Sequence, residues 1–327
     1  MLFSSVNSDY KNDRHNWEEI EHQIAYIAKA GFTHTQWIHD WEGEYMYSPS
    51  EFFQVRDLLN YYGLKAHTIH ASEGARRGIV INGRTSFRNS ERFKEIRKDY
   101  TSANEYMRLA GVDLLKNRVD LCSHIGAGAM VLHMQLPWKW FLENPQNKED
   151  YFRQVCKSFD ELQPYAKAAG VRVALENLIG TPWQVQDEEF ERMFDRYDSD
   201  FMGFTFDSGH ATLMCNDDHY YFLRKYHSRM FATHLQENHG IDPALNTDPI
   251  EVLAADSHWV PMDPRGEGTM DWEEMAKWVA KAPLDLPADF EVGIVGKDEE
   301  DELQQLIECR KTAEKFHQMV LDCKAKE

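Results

Sequence analysis

Several short apolar runs in this sequence end in a residue that can bind a cation or move a proton. Val171-Arg172-Val173-Ala174-Leu175 leads into Glu176-Asn177, and Phe204-Thr205-Phe206 leads into Asp207-Ser208-Gly209-His210. Phe231-Ala232-Thr233 leads into His234-Leu235-Gln236-Glu237-Asn238, and Glu291 directly follows Phe290. Earlier in the chain His133 ends one apolar run, and His67 and His70 end another. A structural ion pair can account for any one of these. Converging carboxylates are different, because they repel one another and a charge buried against apolar strands is costly unless paired or bound to a metal. No Lys or Arg stands at matching positions to neutralise them. A divalent cation would do so, and mixed carboxylate and imidazole ligands suit Mn2+, Mg2+, Co2+ or Zn2+.

Such residues meet only if their strands run parallel and end on one side. The chain repeats an amphipathic helix, a glycine and a short apolar strand: Ala30-Gly31 before Phe32 to Trp37, Tyr62-Gly63 before Leu64 to Ile69, Gly126-Ala127-Gly128 before Ala129 to His133, and Ala169-Gly170 before Val171 to Leu175. A glycine there can take the left-handed conformation that ends a helix and turns the chain into a strand. Helix starts are equally legible. Ser48-Pro49-Ser50-Glu51 is a capping box with proline at the first helical position, and Asn16 with Glu19 is similar. The last helix shows an apolar stripe of Leu303, Leu306, Ile307, Ala313, Phe316, Met319 and Val320.

Further strands are expected at the N-terminus through Val6, at Phe201 to Phe206, at Met230 to Thr233 and at Phe290 to Val295. Strands alternating with helices indicate a parallel sheet, and this many predict closure. The expected fold is α/β, a single (β/α)8 TIM barrel over residues 1–327, with an insertion after strand three (72–100) and a long loop after strand seven (238–271). Long loops on a barrel are usually lids or substrate walls. A doubly wound open sheet is the alternative, but no glycine-rich phosphate loop follows the first strand.

The bulk properties agree. The length of 327 residues fits one barrel, which takes about 250 residues before insertions. No stretch approaches the ~20 apolar residues of a membrane-spanning helix. The opening Met1-Leu2-Phe3-Ser4-Ser5-Val6 lacks the basic and apolar parts of a signal peptide. Cys122, Cys156, Cys215, Cys309 and Cys323 are odd in number and form no CxxC pair, as expected of free thiols in a reducing cytoplasm. A net charge of −19 is the wrong sign for displacing counterions from a phosphate backbone. The expected partner is a neutral or weakly charged small molecule, with no nucleic acid and no membrane.

The motifs Ala-Leu-Glu176-Asn177, Phe-Asp207-Ser-Gly-His210, His234-Leu-Gln-Glu237-Asn238 and Glu291 resemble those of the xylose isomerase-like TIM-barrel superfamily of sugar isomerases and epimerases. Asp256-Ser-His258, followed by Pro264-Arg-Gly266-Glu-Gly268-Thr-Met-Asp271-Trp272, is similar to that family's proline- and glycine-rich turn after strand seven. The resemblance is good over residues 170–295 and architectural before that. It implies one divalent metal, Mn2+ first among the choices, held by Glu176, Asp207, His234 and Glu291. It also implies that Glu176 and Glu291 act as general base and acid beside a sugar carbonyl, while the metal stabilises the charge that develops. His210 would bind substrate or orient a ligand. His70, Trp37, Trp138, Trp183, Glu237 and His258 complete the expected substrate pocket, within a wider crowd of indoles that includes Trp41, Trp140 and Trp259. Aromatic faces of this kind suit sugar C–H faces or flat rings.

Two departures stand out. His239-Gly240 occupies the region where related epimerases carry an arginine, and strand two ends in Gln36-Trp37-Ile38-His39 and not in a glutamate. The pocket for the far end of the substrate is therefore expected to differ from that of a simple ketose epimerase. The segments Lys98 to Ser102 and Asn117 to Leu121 are similar to those of bacterial C-glycoside deglycosidases. Those enzymes cleave the carbon–carbon bond of a 3-oxo glycoside with a large metal-bearing subunit and a small second one. Here His133 would supply the extra acid or base. A homo-oligomer is expected by analogy with related barrels. Two other classes remain open. One is a DNA-repair endonuclease with three zinc ions, for which His70, His133, Glu176, Asp207, His210, His234, Asp256, His258 and Glu291 are candidate ligands. The other is a barrel that has lost catalysis and serves as a binding subunit.

Overall fold

The computed structural model of the chain describes residues 2–326 except 12–15, 42, 73–78, 82–83, 87–96, 135, 216–217, 241–257, 264 and 284–287. Its order is β1 (Ser5–Asn7), α1 (Trp17–Ala30), β2 (His34–Trp37), α2 (Pro49–Tyr62), β3 (Lys65–His70), β4 (Ile79–Ile81), β5 (Arg84–Ser86), α3 (Glu105–Ile125) and β6 (Ala129–Leu132). There follow α4 (Trp138–Glu143), α5 (Pro145–Ala169), β7 (Arg172–Glu176), α6 (Trp183–Arg196), β8 (Met202–Asp207), α7 (Ser208–Met214), α8 (Tyr221–Tyr226), β9 (Met230–His234), α9 (Trp272–Ala280), β10 (Asp289–Phe290) and α10 (Glu299–Lys324).

Eight strands form one sheet in the order β10-β1-β2-β3-β6-β7-β8-β9, each neighbouring pair parallel. The two ends of the sheet meet where Leu235 N donates to Asp289 O at 2.8 Å and Glu291 N donates to Leu235 O at 3.1 Å. This is the expected (β/α)8 barrel. The antiparallel hairpin β4–β5 lies within the expected insertion after the third barrel strand.

The local signals act as read. Ser48 and Glu51 form the reciprocal capping box of α2 with Pro49 inside it, and Asn16 accepts from Glu19 N at the start of α1. Gly63 and Gly170 end α2 and α5 at φ 72° and 70°, a region open to glycine without steric cost. Asp298 caps α10, whose first turn carries Glu299, Glu300, Asp301 and Glu302, acids placed at the positive end of the helix dipole. Leu306, Ala313, Phe316 and Val320 of the predicted stripe are buried, with Cys309 joining them. The eight barrel strands are buried on both faces, which is why they read as nearly continuous apolar runs.

The eighth barrel strand is shorter than the sequence predicts. It spans Asp289–Phe290 and not Phe290 to Val295. Beyond it the backbone is taken up by loops: Val292 N donates to Asn7 Oδ1, Gly293 N to His258 O, and Ile294 N to Tyr10 O. Asp289 is itself a buried carboxylate. Thr68 Oγ1 donates to it at 2.6 Å, Ser5 Oγ donates to its other oxygen, and His67 Nε2 lies 3.1 Å away. Burial would raise its pKa, but His67 and these hydrogen bonds outweigh burial and hold it low. His67 therefore serves this network beneath the strand ends. Among the described residues no helix is long and apolar enough to cross a membrane.

Candidate metal centre

Glu176 is the last residue of β7, Asp207 ends β8, His234 ends β9, and Glu291 follows β10. Because the strands are parallel and in register, with Asp207 opposite His234, these residues emerge on the same rim of the barrel. One ligand atom from each lies within 4.8 Å of the others. His234 Nδ1 is 3.2 Å from Glu176 Oε2 and 3.2 Å from Glu291 Oε2. Glu176, Asp207 and His234 are almost wholly buried.

The hydrogen-bond inventory bears on what this cluster can hold. Both ring nitrogens of His234 and Oε1 of Glu176 are buried without a hydrogen bond of good geometry. Buried polar atoms are normally satisfied, so three orphans in one cluster need an account. A divalent cation fits: three carboxylates and one imidazole give an oxygen-rich donor set of opposite charge. The protonation pattern shows the same strain. Burial pushes Asp207 up to about 7, with Glu176 and Glu291 adding to the push and His210 opposing it. Burial would raise Glu291 and Glu176 as well, but His234 pulls both well below the usual carboxylate range.

A second ring of residues orients the first. Asn177 Nδ2 donates to Asp207 O at 2.8 Å, and its Oδ1 accepts from Asp207 N at 2.9 Å, locking two strand ends together. His210, near the start of α7, places Nδ1 3.0 Å from Asn177 O and 3.2 Å from Glu176 Oε1. Burial works against its charge, yet Asp207 and Glu176 raise it to about 9. On the other side, His70 Nδ1 faces Ala71 O at 3.1 Å, which assigns the proton to that nitrogen and leaves Nε2 as an acceptor. That Nε2 lies 3.1 Å from His133 Nε2, which is 3.0 Å from Glu176 Oε2. His133 Nε2 is thus the donor, sharing one proton between His70 and Glu176. Burial and the neighbouring His133 depress His70 to about 3.

The structure thus brings together Glu176, Asp207, His234, Glu291, His70, His133 and His210. Trp41 joins them, its ring 4.7 Å from that of His70 and 5.2 Å from that of His133. His258 lies beside the end of the eighth strand, bonded to Gly293. Trp138 and Trp183 are half-buried above the barrel. The first donates from Nε1 to Gly180 O, and the second packs against Tyr221. Two expected pocket residues face elsewhere. Trp37 is buried in the core and donates to Tyr47 Oη at 3.0 Å. Glu237 accepts from Trp272 Nε1 at 2.6 Å and from Thr269 N at 3.1 Å, and so anchors the loop after β9. Asp256 lies outside the described residues. Asn177 and Gln236 carry roles that sequence reasoning did not assign. Their only signal is adjacency to Glu176 and His234 in the strand-end motifs.

The xylose isomerase-like TIM barrel family matches residues 24–313. The chain belongs to that family. A relative from Sinorhizobium fredii (strain NBRC 101917 / NGR234), uncharacterized protein y4fM, is 31% identical over 276 residues, covering 84% of this chain and 81% of its own. Among solved structures, 3-keto-D-glucoside 4-epimerase YcjR from E. coli superposes with a TM-score of 0.59 at 15% identity, over 95% of this chain and 99% of that one. The IolI protein with a bound zinc atom gives a TM-score of 0.58 at 17% identity, over 100% and 99% of the two chains. At such identities the likeness to these two is one of fold.

Proposed function

We propose that this chain is a divalent-metal-dependent enzyme that moves a proton next to the carbonyl of a sugar or keto-glycoside. The observation that carries the reading is the convergence of Glu176, Asp207, His234 and Glu291 on one point, with the His234 nitrogens left without hydrogen bonds. Glu176, Asp207, His234 and Glu291 would hold the metal, Mn2+ or Zn2+ being the first to test. When bound, such an ion supplies Lewis-acid stabilisation of the negative charge that builds up as the proton leaves carbon. Glu176 and Glu291 come from different strands and each ends in the cluster, so one carboxylate can take a proton that the other returns. His210 keeps a proton on Nδ1 against Asn177 O and Glu176, and would offer a cationic donor to the oxygens of a bound sugar. The half-buried indoles of Trp41, Trp138 and Trp183 would exclude water above the site and offer apolar faces to a ring.

A second reading within the same chemistry is cleavage of a 3-oxo-C-glycoside by elimination. It draws on His133, whose Nε2 lies 3.0 Å from Glu176 Oε2 and would supply the extra acid or base. The two are separated by incubating metal-loaded protein in D2O with free ketoses and with a 3-oxo-C-glycoside. Deuterium entering a ketose supports the isomerase or epimerase, and release of the aglycone supports the lyase. No exchange into either substrate class would end the reading.

A further inference from the structure

Gln236 has both ends of its side-chain amide committed, and its backbone as well. Its backbone is tied to Ser208 in both directions: Ser208 Oγ donates to Gln236 O at 2.6 Å, and Gln236 N donates to Ser208 Oγ at 2.8 Å. Its side-chain Nε2 donates to Asp207 Oδ2 at 2.8 Å. Its Oε1 accepts from the backbone N–H of His258 at 2.9 Å. These partners fix the orientation of the amide, because a carboxylate only accepts and an N–H only donates. Gly209 is shaped around this amide, since a Cβ there would lie 2.4 Å from Gln236 Cδ. His258 adopts φ 68°, a conformation that non-glycine residues seldom take, and its carbonyl accepts from Gly293 N at 2.9 Å. It is therefore stitched to the barrel at both its N–H and its C=O, two residues past Glu291 on one side and at Gln236 on the other.

We propose that Gln236 is a positioning residue that holds the Asp207 carboxylate for the metal and, through the same amide, clamps His258 at the rim, so that metal binding and the loop after β9 are linked. This rests on the metal reading given above. Hydrogen bonds to a ligating carboxylate set its orientation, and their loss commonly costs about 10–100-fold in metal affinity. Here the same amide also carries a loop contact, so the linkage runs both ways. A cation that fixes Asp207 fixes the amide and with it the His258 N–H, and by reciprocity loss of the His258 contact weakens the metal.

The test uses full-length protein, Mn2+ and Zn2+ as probes, and two variants. Gln236→Met keeps an unbranched chain of similar length without the amide, and Gly209→Ala presses a methyl group into it without touching a ligand. Metal affinity is read by titration calorimetry, and backbone amide exchange over residues 258–263 is read by mass spectrometry with and without metal. In the wild type, metal should slow exchange in that segment. Both variants should bind metal about 10–100-fold more weakly and lose the metal-dependent part of the protection. The second readout is the one that a merely structural residue would not move. If Gln236→Met fails to fold, Gly209→Ala decides alone. Variants that bind as tightly as the wild type, or in which metal slows exchange equally, overturn the proposal while leaving the metal site standing. Failure of the wild type to bind either ion would overturn both.

Discussion

Glu176 and Glu291, from opposite ends of the C-terminal half of the chain, each bring an Oε2 atom to 3.2 Å from the same nitrogen of His234. Two carboxylates so placed repel one another. Their mutual repulsion is relieved only if positive charge sits between them, either a proton on His234 or a cation. Burial disfavours the proton, though Glu176 and Glu291 together still raise His234 well above the ordinary histidine value. A bound divalent ion would displace that proton and put a larger charge in its place.

Loading and removal of metal should therefore be visible in stability. A cation that binds only the folded chain adds about 2.7 kcal/mol at roughly a hundredfold excess over Kd. Thermal melts with Mn2+ or Zn2+ should rise by several degrees over melts in chelator, with no shift in Asp207→Asn.

The two glutamates should be needed for turnover and not for the fold. Glu176→Gln and Glu291→Gln keep size and shape while removing the base. Each should lower solvent deuterium exchange into substrate by about 10²–10⁴-fold, with circular dichroism unchanged. Exchange at wild-type rates in either variant would remove that residue from the mechanism.

How much of this was legible in the sequence depends on the kind of signal. Helix caps at Ser48 and Asn16 and the glycine stops were local and read correctly. The strand-end residues were legible because charges that follow four successive apolar runs have few structural uses together, although a structural ion pair can account for any one alone. The end of the eighth strand was not: Phe290 to Val295 has the composition of a strand, but Asn7, His258 and Tyr10 take its hydrogen bonds. Trp37 reads as a rim indole from its position, yet Tyr47 at the far end of the next loop draws it into the core. Glu237 sits in the middle of a site motif and still turns away to Trp272 Nε1 and Thr269 N, in space that a Cβ at Gly268 would fill. Such choices depend on residues distant in sequence, which periodicity does not encode.

One structural prediction concerns the helix that follows the insertion. Gly111 in α3 faces the chain at Tyr100, and an added Cβ would lie 2.2 Å from Tyr100 N. Backbone cannot give way as a flexible side chain would. Gly111→Ala should destabilise despite better helix propensity, by roughly 1–3 kcal/mol as in overpacked cores, read as a lower denaturant midpoint.

Acid sensitivity should arise in part from His34. Burial, with His67 beside it, depresses this imidazole to about 4 from an ordinary 6.5. Below about pH 6.5 the unfolded chain takes up a proton that the folded chain refuses, so stability rises with pH across this window. Its contribution is complete above 6.5 and falls away toward 4, by about 3 kcal/mol at most. Urea melts from pH 7 to 4 should show this slope, and His34→Gln should flatten it. An unchanged slope in the variant would assign the acid sensitivity to other groups.

The most direct measurement is a calorimetric titration of metal-free protein with Mn2+ and with Zn2+, alongside Asp207→Asn and His234→Asn. One tight site per chain in the wild type, lost in both variants, is the predicted result. A higher count would draw in the adjoining group His70, His133 and Glu176 and favour a multinuclear centre. No binding, or binding that survives both substitutions, would contradict the account.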